Sequence, residues 1–460
     1  MLPSSLSSLC KAFNNSNNNY KDIFPFKFVN VNELNYIGDV PNIKYFNNIS
    51  LSEYNTYVDR FKLWSLKEEL LNYCAIDCIA LWEVINTFSP EIWDLFEIDI
   101  SNYPTTPSLA FAIYRKKYLK NHLIPIINGQ IYKDLSNAYY GGRTDMFIPY
   151  NDNNERVYAY DVNSLYPFAM SNFERPLGNP TYFEGDIYKK NIKLDKDIGF
   201  FEVAVESPNI EMPILPYKNI NKGHSTTIFP TGNWTSWYSS IEINKAIELG
   251  YKFTIIRGYL FERGNIFKDY INDLYIMKQN SHKNSPRYTI AKLLMNSLYG
   301  KFGMNPEMDQ HIIVLGKDIP DLFKKWIIVD QMSLSSDKFL VTIRNKNEDN
   351  DSDNSHLNIS VSISAMITAA SRIKMIDYLN IIKDNDAKIF YTDTDSIYTN
   401  KPLSDDYVNN QLGFMKLEGI FDKGIFLAPK VYGLFNSVSK GQEEIVKVKG
   451  LILIRRGQEE

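Results

Sequence analysis

Cysteine is scarce: the 460-residue chain holds three, Cys10, Cys74 and Cys78. Three thiols cannot build a disulfide framework, and no cysteine–histidine cluster has the spacing of a zinc site. No apolar run approaches the ~18 residues that a membrane-spanning helix needs, so no membrane partner is expected. Met1-Leu2-Pro3-Ser4-Ser5 does not open like a signal peptide. These absences predict an intracellular or organellar protein. A strong charge of either sign is missing too: 50 Lys+Arg against 54 Asp+Glu leave −4, with a pI near 5.9. Average charge alone argues against a polyanionic partner.

What the chain does have is apolar and aromatic content, 44% and 14%, which excludes disorder over most of its length. Its size suggests roughly three domains as a prior. Asn makes up about a tenth of the residues, and Ile, Lys, Tyr and Phe are also abundant. All five have A/T-rich codons, so the bias records genome composition before function. Asn14–Asn19 and Asn345–Asn354 are its extremes. The second reads as an exposed loop, having nothing to bury.

Along the chain, Leu66, Leu70, Tyr73, Asp77, Ala80, Leu81 and Val84 share a helical face, and Ser89-Pro90 is expected to close that helix. Strand-like runs dominate 150–260: RVYAYDV, GFFEVAVES and YKFTIIRGYLF. Helix returns over 268–300, with Ser285 as N-cap and Pro286 at the first helical position. A further helix, SISAMITAASRIKMIDYLNII, precedes a strand pair, AKIFY and SIYTN, around a short acidic turn. There is no internal repeat. Irregular alternation of strands and helices predicts an α+β fold.

Three segments carry chemistry. In Tyr391–Tyr398 (YTDTDSIY), extended backbone would point Asp393 and Asp395 to one face and Thr394 to the other. Like charges so placed call for a cation, although a hydrophilic turn is the plainer reading of Asp-x-Asp alone. In RVYAYDVNSLYPFAM, a strand runs into Asp161 before a turn toward a helix at Ser164–Tyr166. Asp161 joined to Asp393 and Asp395 would form a hard-oxygen site suited to Mg²⁺. Two ions ~3.5–4 Å apart would clamp the attacking and leaving oxygens of a phosphoryl displacement. In SPRYTIAKLLMNSLYGKFG, Lys292, Asn296 and Tyr299 fall on one helical stripe, with a point charge for phosphate and a flat face for a base pair. Gly300 and Gly303 are expected to end that helix. Lys268, Lys278, Lys283, Arg287, Lys292 and Lys301 outnumber Asp269 and Asp273 here; taken alone, the stretch reads as an amphipathic helix with a solvated basic edge.

Together these segments resemble the polymerase motifs of family B DNA polymerases, in that family's order. Asp161–Pro167 (DVNSLYP) resembles motif A, Lys292–Gly300 (KLLMNSLYG) motif B, and Tyr391–Ser396 (YTDTDS) motif C. Lys430-Val431-Tyr432 resembles the downstream Lys-x-Tyr motif. Tyr140-Gly141-Gly142 resembles the Tyr-x-Gly-Gly motif that links exonuclease and polymerase domains. Tyr73–Asp77 resembles the third exonuclease motif. The near-verbatim NSLYGKFG points to the protein-primed branch of phages, adenoviruses and mitochondrial linear plasmids. Codon bias favours an organelle-encoded mitochondrial member, with a viral or cytoplasmic plasmid as the alternative.

The resemblance implies an α+β right-hand fold of palm, fingers and partial thumb, with the remnant of an RNase H-like exonuclease domain. It divides the chain into an exonuclease remnant (1–95), linker and first palm segment (96–172), and a terminal-protein-type insertion with palm strands (173–267). Fingers (268–306), a second insertion read as a polar loop (307–356), a second palm segment (357–450) and the start of a thumb (451–460) follow. It implies primer extension with dNTPs on a DNA template, two Mg²⁺ ions (or Mn²⁺), and a terminal protein as primer partner. Asp161 and Asp395 would be the principal metal ligands and Asp393 would support them. Tyr166 would exclude a 2′-hydroxyl, with Ser164 and Leu165 beside the nucleotide. Lys292 and Lys278 would bind triphosphate, while Asn296 and Tyr299 floor the base-pair pocket. Tyr140, Gly141, Gly142, Lys430 and Tyr432 would touch DNA.

The sequence departs from the family at the exonuclease, where only Tyr73 and Asp77 of the motif carboxylates and their neighbours are visible. One carboxylate cannot hold two metals, so no 3′–5′ exonuclease activity is expected. The short stretch after Lys430 predicts a curtailed thumb. The competing reading is a catalytically dead remnant that at most binds DNA or a terminal protein. A different two-metal palm enzyme, such as a reverse transcriptase, leaves NSLYG and Lys-x-Tyr unexplained.

Overall fold

A computed structural model describes residues 2–13, 23–29, 34–47, 49–103, 105–187, 189–221, 224–283, 285–304, 309–333, 336–345, 360–436 and 444–448. The chain forms two compact units, one of Met1–Lys117, Asn272–Met295 and Gly450–Glu460, the other of Tyr118–Ile271 and Asn296–Lys449. The Asn14–Asn19 run, the Asn-rich stretch after Asn345 and the thumb segment 451–460 fall outside the described residues.

The first unit is built on the helix Leu66–Phe96. Ser65 caps it by accepting the Glu68 N–H, and Glu68 and Glu69 suit the positive end of its dipole. Contrary to expectation, the helix runs through Pro90. Phe88, Ile92 and Phe96 continue the buried stripe begun by Tyr73, Ala80 and Val84, so packing outweighs the hydrogen bond that proline removes. Leu81, expected inside, is 49% exposed. Phe13 of the short helix Leu6–Phe13 meets Phe88 edge-on at 5.8 Å. Phe24, Phe46, Tyr57, Trp64, Leu66 and Tyr73 form the adjoining core.

The second unit contains the sheet that matters for function. Its five strands lie in the order Met415–Phe421, Val157–Val162, Ser396–Thr399, Ile389–Asp393 and Thr144–Met146, every neighbouring pair antiparallel. A three-stranded sheet, Lys423–Ala428, Val431–Phe435 and Ile445–Val448, follows in sequence. A four-stranded sheet is ordered Arg175–Glu184, Lys252–Gly264, Ile198–Glu206 and Asn233–Ser239. The helix Val361–Asp384 is buried on nearly all sides. Met375, Tyr378, Leu379 and Ile382 pack with Tyr160, Val162, Ile389 and Ile397 of the five-stranded sheet. Val361, Ala365 and Met366 pack instead with Phe200, Trp237 and Tyr259 of the four-stranded one. One apolar helix thereby fixes two sheets.

Residues 307–356 were expected as a polar loop, but the described part, 309–333 and 336–345, contains strands. Gln310–Leu315, Lys338–Asn345 and Trp326–Ser333 make an antiparallel sheet with the middle strand in the centre, burying Val341 and Ile343. The alternating apolar positions of this segment carry a strand signal that the neighbouring Asn run obscures. Among the described residues, no helix is long and apolar enough to cross a membrane.

Candidate functional site

Ile389–Asp393 and Ser396–Thr399 pair with Asp393 opposite Ser396, leaving Thr394 and Asp395 as a two-residue turn. Thr394 takes φ 66°, a conformation that a β-branched residue rarely adopts. The two aspartates are therefore not related by the extended geometry expected from their spacing. Asp393 ends a strand, whereas Asp395 sits in the turn. The next register completes the site: Ser396 lies opposite Asp161 on Val157–Val162, and the Val162 N–H donates to the Asp395 carbonyl at 2.8 Å.

Asp161 and Asp395 thus become neighbours, and both are buried enough to feel it. Burial, then the charges of Asp395 and Glu418, push the Asp161 carboxyl up to about 7. Burial also raises Asp395, with Asp393 adding to the effect. Crowded carboxylates at the bottom of a cavity suit a divalent cation, which would restore their ordinary acidity. Asp393 is held differently. Its Oδ1 accepts from Lys430 Nζ at 2.6 Å, Thr144 Oγ1 at 3.1 Å and Thr394 Oγ1 at 3.3 Å. The expected acidic triad divides into a crowded buried pair, Asp161 and Asp395, and a third carboxylate paired with Lys430. Among the described residues, no group of three or more His, Cys, Asp or Glu side chains converges as a metal cage.

A cavity of about 440 Å³ opens over this arrangement, lined among others by Asp161, Asp395, Glu418, Lys430, Tyr432 and Lys447. Tyr432 is 3% exposed, its hydroxyl shared with that of Tyr398 at 2.9 Å. Lys430 takes φ 62°, and its N–H donates to the Tyr391 hydroxyl at 2.7 Å. Lys447 lies over the Tyr432 ring at 5.5 Å.

The Gly-Gly segment and Arg143 buttress the turn. Thr394 N–H donates to the Arg143 carbonyl at 2.7 Å. The carbonyls of Tyr140 and Gly141 accept from Arg372 Nη1 at 2.7 and 2.9 Å. Arg372, itself 2% exposed, is paired through Nη2 with the buried Glu242 at 2.5 Å. Tyr140 was expected to contact DNA, and the structure corrects this. It is 2% exposed, stacks on Tyr238 and shares its hydroxyl hydrogen bond with Ser236 at 2.7 Å. The Tyr-x-Gly-Gly spacing places the motif tyrosine at Tyr139. Tyr139 touches the space beside Gly303, where a β-carbon would meet its ring at 2.8 Å.

Ser164, at φ 54°, starts the helix Leu165–Asn172 that carries Tyr166. Tyr166 stacks on Tyr299 with centroids 4.3 Å apart and planes inclined by 19°. Leu165 was expected beside the nucleotide, but its side chain is 1% exposed in the apolar core, which leaves only its backbone for such a role. Asn296 is exposed on the helix Pro286–Phe302, which Ser285 caps by accepting the Tyr288 N–H as anticipated. Gly300 lies inside that helix instead of ending it.

Lys292 and Lys278 belong to the first unit. Lys292 is exposed, and Lys278 lies 5.9 Å from the rings of Tyr275 and Tyr288. In the same unit Tyr73 packs against Phe24 and Phe26, and Asp77 Oδ1 is buried without a hydrogen-bond partner among the described residues. Sequence reading missed Thr144, Tyr398, Glu418 and Lys447. Strand register brings them in; of the four only Tyr398 lies in a segment singled out above, and it was given no role there. Arg372 and Glu242 were missed as well, although an arginine closing the apolar run SAMITAAS is a readable signal.

The family model for DNA polymerase type B, organellar and viral, matches residues 1–385. A protein of Neurospora intermedia described as a probable DNA polymerase is 40% identical, covering 98% of this chain and 47% of its own length. One from Ascobolus immersus, with the same description, is 40% identical over 98% of this chain and 37% of its own. The DNA polymerase of Bacillus phage Nf is 27% identical over 68% of this chain and 51% of its own. The chain therefore spans less than half the length of the two fungal relatives. Among solved structures, phi29 DNA polymerase complexed with primer-template DNA and incoming nucleotide substrates superposes with a TM-score of 0.63. That match is 20% identical and covers 98% of this chain and 71% of the other. It shows a shared fold of mixed helix and sheet. On the family match and the fungal relatives together, the chain belongs to the organellar and viral type B DNA polymerases.

Proposed function

We propose that this chain carries the nucleotidyl-transfer centre of a template-directed DNA polymerase, adding dNTPs to a primer 3′-hydroxyl with release of pyrophosphate. The observation that carries the reading is the register setting Asp161 opposite Ser396, with Asp395 beside it and lysines around the same cavity. Asp161 and Asp395 would hold divalent cations, two Mg²⁺ or Mn²⁺, which when bound supply Lewis-acid stabilisation of the transferring phosphate. The remaining roles fall to the protein's own side chains. Tyr166 and Tyr299 present a flat wall to a sugar and base. Lys430 and Lys447 bring positive charge to a primer phosphate, with Tyr432 beside them. Lys292 and Lys278 would bind triphosphate, with Asn296 at the nascent pair.

In the same reading the primer hydroxyl at initiation belongs to a terminal protein. The replicon is a linear plasmid or viral-type DNA, and the location is mitochondrial. Residues 357–450 supply the second palm segment and 268–306 the fingers. A primer-extension assay with Mg²⁺ and dNTPs tests the reading. Extension by the wild type and its loss in Asp161→Ala and Asp395→Ala, with primer-template binding retained, is the expected result. A wild type that binds DNA without extending it would establish the non-catalytic alternative.

A further inference from the structure

Arg143 is 4% exposed and follows immediately on Gly142. Its guanidinium makes contacts in two directions. Nη2 donates to Asp145 Oδ2 at 2.9 Å, and Nη1 donates to the Pro213 carbonyl at 2.7 Å. The group also lies 4.4 Å from the Phe229 ring and 5.1 Å from that of Phe147. Pro213 precedes, and Phe229 directly follows, the hairpin formed by Tyr217–Asn221 and His224–Ile228. Both ends of that hairpin thus converge on one buried cation.

The main chain of the same residue reaches the catalytic turn. The Arg143 carbonyl accepts the Thr394 N–H at 2.7 Å, and Thr144 Oγ1 donates to Asp393 Oδ1 at 3.1 Å. Thr144–Met146 has only three residues and is the outermost strand of its sheet. A strand that short gains little from its ladder, so its position depends on what its side chains grip. An aliphatic residue would fill the interior at lower desolvation cost than a guanidinium. What arginine adds is a fork that holds a carbonyl and a carboxylate at once, with a flat face for an aromatic ring.

We propose that Arg143 is a positioning residue that anchors the Asp393–Asp395 turn to the base of the 217–228 hairpin, so that displacement of the hairpin is transmitted to the catalytic carboxylates. Its catalytic consequence rests on the nucleotidyl-transfer reading; its structural content does not. Within the hairpin Ile220 is 73% exposed, while Lys218 Nζ donates to the Ser136 carbonyl at 2.7 Å. The route from hairpin to carboxylate runs through one side chain and one peptide group. Phe229 supplies the contact that can be removed without touching the sheet.

The test uses the full chain and the variants Arg143→Met, Arg143→Lys and Phe229→Ala. Two quantities are read: amide hydrogen exchange of the peptide spanning 389–399, and single-nucleotide incorporation resolved into kcat and KM. Exchange of 389–399 is expected to quicken about ten-fold in Arg143→Met and less in Phe229→Ala, with the 361–384 helix unchanged. The kcat is expected to fall by about ten-fold while KM for dNTP stays near the wild-type value, since only the alignment of the carboxylates is disturbed. Arg143→Lys, which keeps the charge without the fork, should fall between. The Phe229→Ala arm stands if Arg143→Met does not fold. Unchanged exchange at 389–399 in Phe229→Ala and in whichever Arg143 variants fold would overturn the proposal. Quickened exchange in a chain whose wild type does not incorporate nucleotide would uphold the anchor and refute the polymerase reading.

Discussion

Gly142 packs so tightly against Thr394 that a β-carbon on it would come within 2.7 Å of the threonine Cγ2 and 3.0 Å of its Cα. The glycine is needed for close approach of two backbones, and its partner is the turn residue at positive φ. Strain at that turn persists because its surroundings over-determine it: the Arg143 carbonyl on one side, Gly142 beneath, and strands before and after.

Gly142→Ala should therefore displace the turn. Incorporation is expected to fall by about a hundred-fold, because misplacing a reacting group by about 1 Å has that order of effect. Adding Thr394→Gly removes the clashing methyl and should restore part of the rate. A single-turnover assay decides, and wild-type activity in Gly142→Ala would contradict the packing account.

The raised Asp161 carboxyl makes metal-free stability depend on pH. The folded chain keeps a proton to about 7 that the unfolded chain releases near the ordinary carboxylate value. Between those limits the folded state binds more protons, so stability falls as pH rises through the window and levels off above it. Asp161→Asn lacks this loss. Melting in EDTA should show the variant gaining on wild type from pH 4 to 7, then holding constant. An advantage that does not vary with pH would exclude Asp161 as its source.

The stack of Tyr166 on Tyr299 predicts a separation of function. Tyr166→Phe keeps both rings and should preserve selection against ribonucleotides. Tyr166→Val opens the wall and should reduce the dNTP-to-rNTP ratio of kcat/KM by about a hundred-fold. Competing incorporation of the two nucleotides measures it directly; equal ratios in wild type and Tyr166→Val would remove Tyr166 from sugar selection.

Lys430 both neutralises Asp393 and faces the cavity. Lys430→Met should raise the KM for primer-template more than that for dNTP. If the lysine meets a phosphate, the salt dependence of primer binding should lose about one unit of slope. An unaltered slope from low to moderate salt would confine Lys430 to its contact with Asp393.

Arg372→Met strands Glu242 in the interior and should cost about 3–5 kcal/mol, the usual penalty for breaking a buried pair. The double variant Arg372→Met/Glu242→Leu should recover much of that loss. Denaturant midpoints of the full chain test this, and additive losses would show the two residues to be uncoupled.

Motif composition marked Asp161, Asp395, Lys430 and Tyr166 because these residues sit beside turns or helix starts whose local chemistry is written in adjacent positions. Local reading failed where a distant contact decided. Pro90 did not stop its helix, since the buried stripe on both sides of it found partners. Tyr140 passed for a site residue by adjacency to two glycines, yet its side chain turned into the core and left Tyr139 in the motif position. The near-zero average charge concealed a site where carboxylates from three neighbouring segments of one sheet crowd together and lysines arrive from another sheet.

The sequence by itself marked which residues to look at: carboxylates in a tight turn, a strand-end aspartate, and tyrosines and lysines at helical spacing, all set by neighbours a few residues apart. The tertiary structure decided how the aspartates divide. Strand register put Ser396 across from Asp161 and made Asp395 its neighbour, while the approach of Lys430 and Thr144 claimed Asp393. Register between strands far apart in the chain depends on which faces are buried together, and no local pattern encodes that.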